Sequence, residues 1–161
     1  MLENLPVGKY TVTEISAEAG IEGYGLTVTG EGEVTVTKEG AVAALTNTYS
    51  REKGSLEVKK TVGGLEEKDA TANAGKTFKF TVKGEDGKYY SADGSASDTE
   101  VELEVKAGES KKLENLPAGK YTVTETREEA GIKGYGLTVT GEGEVTVTKE
   151  GAVAALTNTY S

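Results

Sequence analysis

Apolar or β-branched residues alternate with polar ones along almost the whole chain, the period of a pleated strand buried on one face. The alternation predicts strands over residues 55–62, 76–83, 87–91, 100–106, 110–114, 119–126, 134–140, 144–149 and 152–160. A second set is predicted over 8–15, 23–29, 33–38 and 41–49. Gly63-Gly64, Glu85-Asp86-Gly87, Ala107-Gly108, Gly141-Glu142-Gly143 and Glu150-Gly151 mark turns between them. Thr, Val and Tyr fill the strands, as suits a pleated surface. No helix is expected beyond a single turn near residues 128–131. Many short strands separated by turns point to an all-β, Ig-like sandwich of two sheets with Greek-key links.

The strands come in copies. Residues 2–50 reappear as 113–161, with only Val7/Ala118, Ile15/Thr126, Ser16/Arg127, Ala17/Glu128 and Glu22/Lys133 differing. The copies are 111 residues apart, and a repeat this long is a whole domain rather than a short solenoid unit. Residues 51–112 occur once, so the order is back half, front half, back half. The expected organisation is a C-terminal half of a preceding repeat over 1–50, a linker at 51–53 and one complete repeat over 54–161. A permuted pairing of 51–112 with 1–50 is the alternative. Either way one back half lacks a front half, and self-association through it is one way to order it. A chain that starts in mid-repeat is expected to be a segment of a longer one.

Alternate residues of a strand share a face, so each strand's parity shows which polar groups turn inward. In LEVKKTV (56–62) the apolar positions are Leu56, Val58 and Val62, and Lys60 falls in line with them while Lys59 points outward. Glu125 continues the inward row of Tyr121 and Val123, and Asn158 lies between Leu156 and Tyr160. Buried polar groups need partners. First and last strands of a sandwich often lie side by side, which brings Lys60 to Asn158. Burial favours the neutral forms of an amine and of a carboxylic acid. A neutral Lys60 amine is a nucleophile, and Glu125 is placed to polarise the Asn158 carbonyl and shuttle protons. Attack on that carbonyl expels ammonia and leaves an isopeptide cross-link, a single-turnover reaction assisted by proximity. The ordinary reading is a snorkelling lysine, a glutamate at a strand end and a turn asparagine. The first copy retains Glu14 and Asn47 without a lysine strand before them, so a bond there needs Lys60 in the permuted pairing or a lysine from a neighbouring repeat.

Composition narrows the chemistry. The chain has no Cys and no His, which removes disulfides, thiol nucleophiles, His-based triads and the usual transition-metal ligands. A net charge of −9 opposes nucleic-acid binding, and no apolar run is long enough to span a bilayer. Asp93, Ser95, Ser97 and Asp98 space oxygen ligands as a calcium loop does, but the closing bidentate carboxylate is missing, so a solvated hairpin is expected. No metal, cofactor, nucleic acid or membrane contact is expected, and no enzyme activity on an external substrate. The LPVG and LPAG stretches at 5–8 and 116–119 read as turns leading into strands.

These segments resemble the isopeptide-forming domains of Gram-positive pilins and adhesins, of the collagen-adhesin B type and the pilin isopeptide-linkage repeats. The resemblance rests on GSLEVKKTV (54–62), FKFTV (78–82), LPAGKYTVTET (116–126) and LTNT (156–159), in that order. It implies the same three residues, Lys60 and Asn158 as the bonded pair and Glu125 as the catalytic carboxyl. It also implies a stalk repeat of an extracellular, cell-wall-anchored protein whose partners are neighbouring repeats. The alternative is an adhesin module that grips a host protein or glycan through loops such as 84–99, where Tyr89 and Tyr90 offer stacking surface.

Overall fold

The alternating segments pair into sheets within two separate units, Met1–Arg51 and Glu52–Ser161, in the computed structural model, which describes residues 1–161. The smaller unit contains β1 (Gly8–Val12), the one-turn helix α1 (Ser16–Ala19), β2 (Tyr24–Thr29), β3 (Gly32–Val36) and β4 (Thr46–Arg51). Here β1 pairs with β3 and β2 with β4, both antiparallel.

The larger unit contains β5 (Lys53–Gly63), α2 (Glu67–Ala72), β6 (Thr77–Gly84), β7 (Tyr89–Tyr90), β8 (Ala96–Ser97), β9 (Leu103–Lys106) and β10 (Ser110–Pro117). It continues through β11 (Gly119–Thr126), β12 (Leu137–Thr140), β13 (Gly143–Val147) and β14 (Ala152–Tyr160). One sheet has the order β10-β5-β14-β12. The other runs β13-β11-β6-β7-β8, with β9 also paired to β6. The first strand β5 and the last strand β14 are parallel neighbours, with Leu156 opposite Lys60 and Asn158 opposite Val62. Between the sheets lies the core: Leu56, Val58, Leu113, Leu116 and Leu156 from one, and Phe78, Phe80, Val82, Leu103, Val105, Tyr121, Val123 and Val147 from the other. The all-β sandwich expected from the alternation is what forms.

The departures have local causes. Two short helices occur where none was expected. In α2, Glu67 and Asp69 occupy the first turn, where carboxylates suit the helix dipole. The side chain of Asn73 closes its end by donating to the Asp69 carbonyl oxygen at 2.8 Å. Residues 128–130 form a turn, as read. Predicted strands 87–91 and 100–106 shorten to β7 and β9, and β8 was not anticipated. Glu52 alone separates β4 from β5, a shorter junction than the expected 51–53.

The largest departure is in the copy. Residues 152–156 form the first part of β14 along β5, whereas their near-twins 41–45 are irregular and β4 begins only at Thr46. In the same way, 113–117 form part of β10 whereas 2–6 are not strand. Identical sequence takes strand conformation only where a neighbour supplies the ladder bonds, since an unpaired strand leaves its backbone groups to water.

Candidate cross-linking site

Three strands each deliver one polar side chain to the sandwich interior. Lys60 sits on β5 in the inward row with Leu56 and Val58, Glu125 on β11 below Tyr121 and Val123, and Asn158 on β14 between Leu156 and Tyr160. Lys60, Glu125 and Asn158 are the only buried polar or charged residues of the chain, each at most 2% exposed. Lys60 Nζ donates to Glu125 Oε2 and, at 2.5 Å, to Asn158 Oδ1. Asn158 Nδ2 donates to Glu125 Oε1 at 2.6 Å. The carboxyl group therefore bridges the amine and the carboxamide nitrogen, the two atoms between which a proton must move in amide exchange. The Phe78 ring lies 4.5 Å from Nζ and helps close the site to water.

Burial lowers the Lys60 pKa from its ordinary 10.5, opposed by the hydrogen bond and charge of Glu125 and the charge of Glu142. Desolvation prevails, which increases the share of uncharged, nucleophilic amine. The sign gives a pH test in Asn158→Ala, where Lys60 has no acyl group to react with. Between the folded pKa and 10.5 the unfolded chain binds more protons, so the stability tied to Lys60 rises with pH. Urea midpoints of Asn158→Ala are therefore expected to climb relative to the double variant Lys60→Met/Asn158→Ala as the pH approaches 10.5. A falling difference contradicts the lowered value.

Sequence reading missed one supporting residue. Glu142, in the turn between β12 and β13, accepts the Glu125 backbone N–H through Oε1 at 2.8 Å and pairs through Oε2 with Arg127. The available signal was a carboxylate set between two glycines in both copies, as Gly30-Glu31-Gly32 and Gly141-Glu142-Gly143.

The smaller unit repeats most of this arrangement. Asn47 Nδ2 donates to Glu14 Oε1 at 2.5 Å, and the Glu14 N–H donates to Glu31 Oε1 at 2.8 Å. The Tyr10 hydroxyl donates to the Pro6 carbonyl and that of Tyr49 to Ala19, as Tyr121 does to Pro117 and Tyr160 to Ala130. Lys60 hydrogen-bonds Glu125 and Asn158 rather than Glu14 or Asn47. Asn47 Oδ1 is thereby left as the one buried side-chain polar atom with no hydrogen-bond partner. Such an atom costs about 1–3 kcal/mol. In the loop over residues 93–98, Asp93 Oδ1 accepts from the N–H and hydroxyl of Ser95, an Asx turn.

No curated protein matches the chain. Among solved structures, a bacterial adhesin from Mobiluncus mulieris containing intramolecular disulfide, isopeptide and ester bond cross-links is similar at 24% identity and a TM-score of 0.50. The match covers 71% of this chain and 44% of the adhesin, so this chain spans less than half the adhesin's length. The major pilin protein T-13 of Streptococcus pyogenes is similar at 19% identity and a TM-score of 0.51, over 99% of this chain and 69% of the pilin. At these identities the likeness is one of fold, the β-sandwich fold of Gram-positive pilin and adhesin domains. No helix is long and apolar enough to cross a membrane. Residues 2–50 and 56–161 match the profile of one family, which embraces the duplicated halves and the front half alike; the chain belongs to that family, described as Domain of unknown function (DUF5979).

Proposed function

We propose that the chain is a structural stalk segment of a bacterial cell-surface adhesin or pilus-like protein, extracellular and wall-anchored in its parent, whose complete repeat closes itself with a Lys60–Asn158 isopeptide bond. On this reading residues 1–51 are the back half of a preceding repeat and 52–161 the complete one. The observation that carries it is the sealed triad, with Lys60 Nζ 2.5 Å from Asn158 Oδ1 and the Glu125 carboxyl bonded to both reacting groups. The uncharged amine attacks the Asn158 carboxamide carbon. The new N–C bond forms as the C–Nδ2 bond breaks, Glu125 takes a proton from Nζ and gives one to Nδ2, and ammonia leaves. No external oxidant or cofactor enters this balance.

The topology suits tension. Residue 52 enters β5 and residue 160 ends β14, and these parallel neighbours carry the two bonded residues. A bond from Lys60 to Asn158 diverts force past everything between them. In single-molecule pulling between residues 52 and 161, the parent repeat is expected to show no unfolding extension, while Asn158→Ala extends as residues 61–157 pay out. Equal extension in both would overturn the stalk mechanism. The loop-binding alternative has less in its favour. Tyr90 is buried, with its ring edge-on to Tyr121 at 5.2 Å and its hydroxyl donating to Asp86.

A further inference from the structure

The Glu125 carboxyl stands where the ladder beside it runs out. Along β11 the pairing with β13 ends at Val123 opposite Gly143. The next rung on that edge is the Glu125 N–H, and no strand lies beside it, because the residues before Gly143 lead back to β12 in the opposite sheet. Glu142 supplies the missing acceptor with its side chain, Oε1 lying 2.8 Å from the Glu125 nitrogen. Glu142 is held in turn from the other side. β12 pairs with β14, setting Val139 opposite Asn158 and Thr140 opposite Thr157. Gly141, at φ of 85°, then passes so close to β14 that a Cβ would lie 1.8 Å from the Ala155 carbonyl oxygen. One short connection thus grips the strand that carries Asn158 and the strand that carries Glu125. The copy has the same contact: Glu14 N–H donates to Glu31 Oε1 at 2.8 Å, although Ser16 stands where the larger unit has Arg127. The contact therefore does not need the arginine.

We propose that Glu142 is a positioning residue for the cross-linking reaction: by accepting the Glu125 N–H it fixes the Glu125 carboxyl relative to Asn158, and so sets how fast the bond closes. This rests on the Lys60–Asn158 bond proposed above. A proton relay needs its carboxyl within hydrogen-bond reach of both the amine and the leaving nitrogen. A displacement of about 1 Å can cost about 100-fold in rate, and a backbone shift at Glu125 carries its side chain with it. The reach of the acceptor oxygen matters here, and the charge does not help. Burial lowers the Lys60 pKa, and the Glu142 charge is among the influences that oppose that fall. The ion pair to Arg127 adds little, because the arginine side chain is 55% exposed.

The test follows the full chain made by cell-free translation, quenched in denaturant at timed intervals and weighed for loss of ammonia. Protease resistance at the same times gives the folded fraction, so the rate is counted over folded chains only. Glu142→Ala is expected to slow closure by about 10- to 100-fold. Glu142→Asp keeps the charge but draws the acceptor back by one methylene, and is expected to be slow as well. Glu142→Gln keeps the acceptor in place and should restore the parent's rate. Arg127→Ser, the residue of the copy, should also react at that rate. Should Glu142→Ala fail to fold, the comparison of Asp with Gln still decides. A fast Glu142→Asp with a slow Glu142→Gln would make the charge the active feature and overturn the proposal. Closure at the parent's rate in every variant would overturn it too. A parent chain that keeps its ammonia removes the bond and this role with it, a failure visible without any Glu142 variant.

Discussion

Asn158→Ala is expected to lower the melting temperature of the Glu52–Ser161 unit by about 20 °C or more. The proposed bond would join residues 98 apart in sequence and so remove most of the loop freedom of the unfolded unit. In the chain-entropy treatment used for disulfides, a loop of this size is worth about 4–5 kcal/mol. In a domain of this length each kcal/mol moves the midpoint by roughly 4–8 °C. The substitution removes the acyl group and leaves the Lys60–Glu125 pair in place, so the sandwich still folds. Calorimetry of the parent and variant gives the comparison. Coincident melting of the two would mean that the triad is a polar network without a covalent consequence.

Glu125→Gln is expected to do more damage than Asn158→Ala, although it deletes neither bonded residue. Without a carboxyl to move protons between Nζ and Nδ2, bond formation slows by about two to four orders of magnitude. Denatured protein should then retain its ammonia. The variant also leaves Lys60 buried, either charged with no counter-ion or neutralised at the cost of its proton. Breaking a buried pair from one side typically costs about 3–5 kcal/mol. Urea unfolding should therefore rank parent above Asn158→Ala above Glu125→Gln. A Glu125→Gln chain that cross-links as fast as the parent would remove the carboxyl from the chemistry.

The sandwich and the inward row of each strand were legible because a two-residue period reports burial directly. Lys60, rather than Lys59, was selected by that parity alone, and in the structure it is the residue beside Glu125 and Asn158. Other features depended on context that alternation does not carry. Residues 41–45 and 152–156 have the same pattern, yet only the latter form strand, because β5 lies beside them. Helix α2 is set by its first-turn carboxylates and the Asn73 side chain rather than by an apolar stripe, so no helical period announces it. Glu142 acts through a backbone N–H on a neighbouring strand, a contact set by register rather than by its own sequence surroundings.

The intact mass of the denatured chain reads the Lys60–Asn158 bond itself. A deficit of one ammonia is expected, with a branched fragment joining the peptide that contains Lys60 to the one that contains Asn158. A full, unmodified mass would contradict it, leaving a β-sandwich with a buried Lys–Glu–Asn network and no covalent closure.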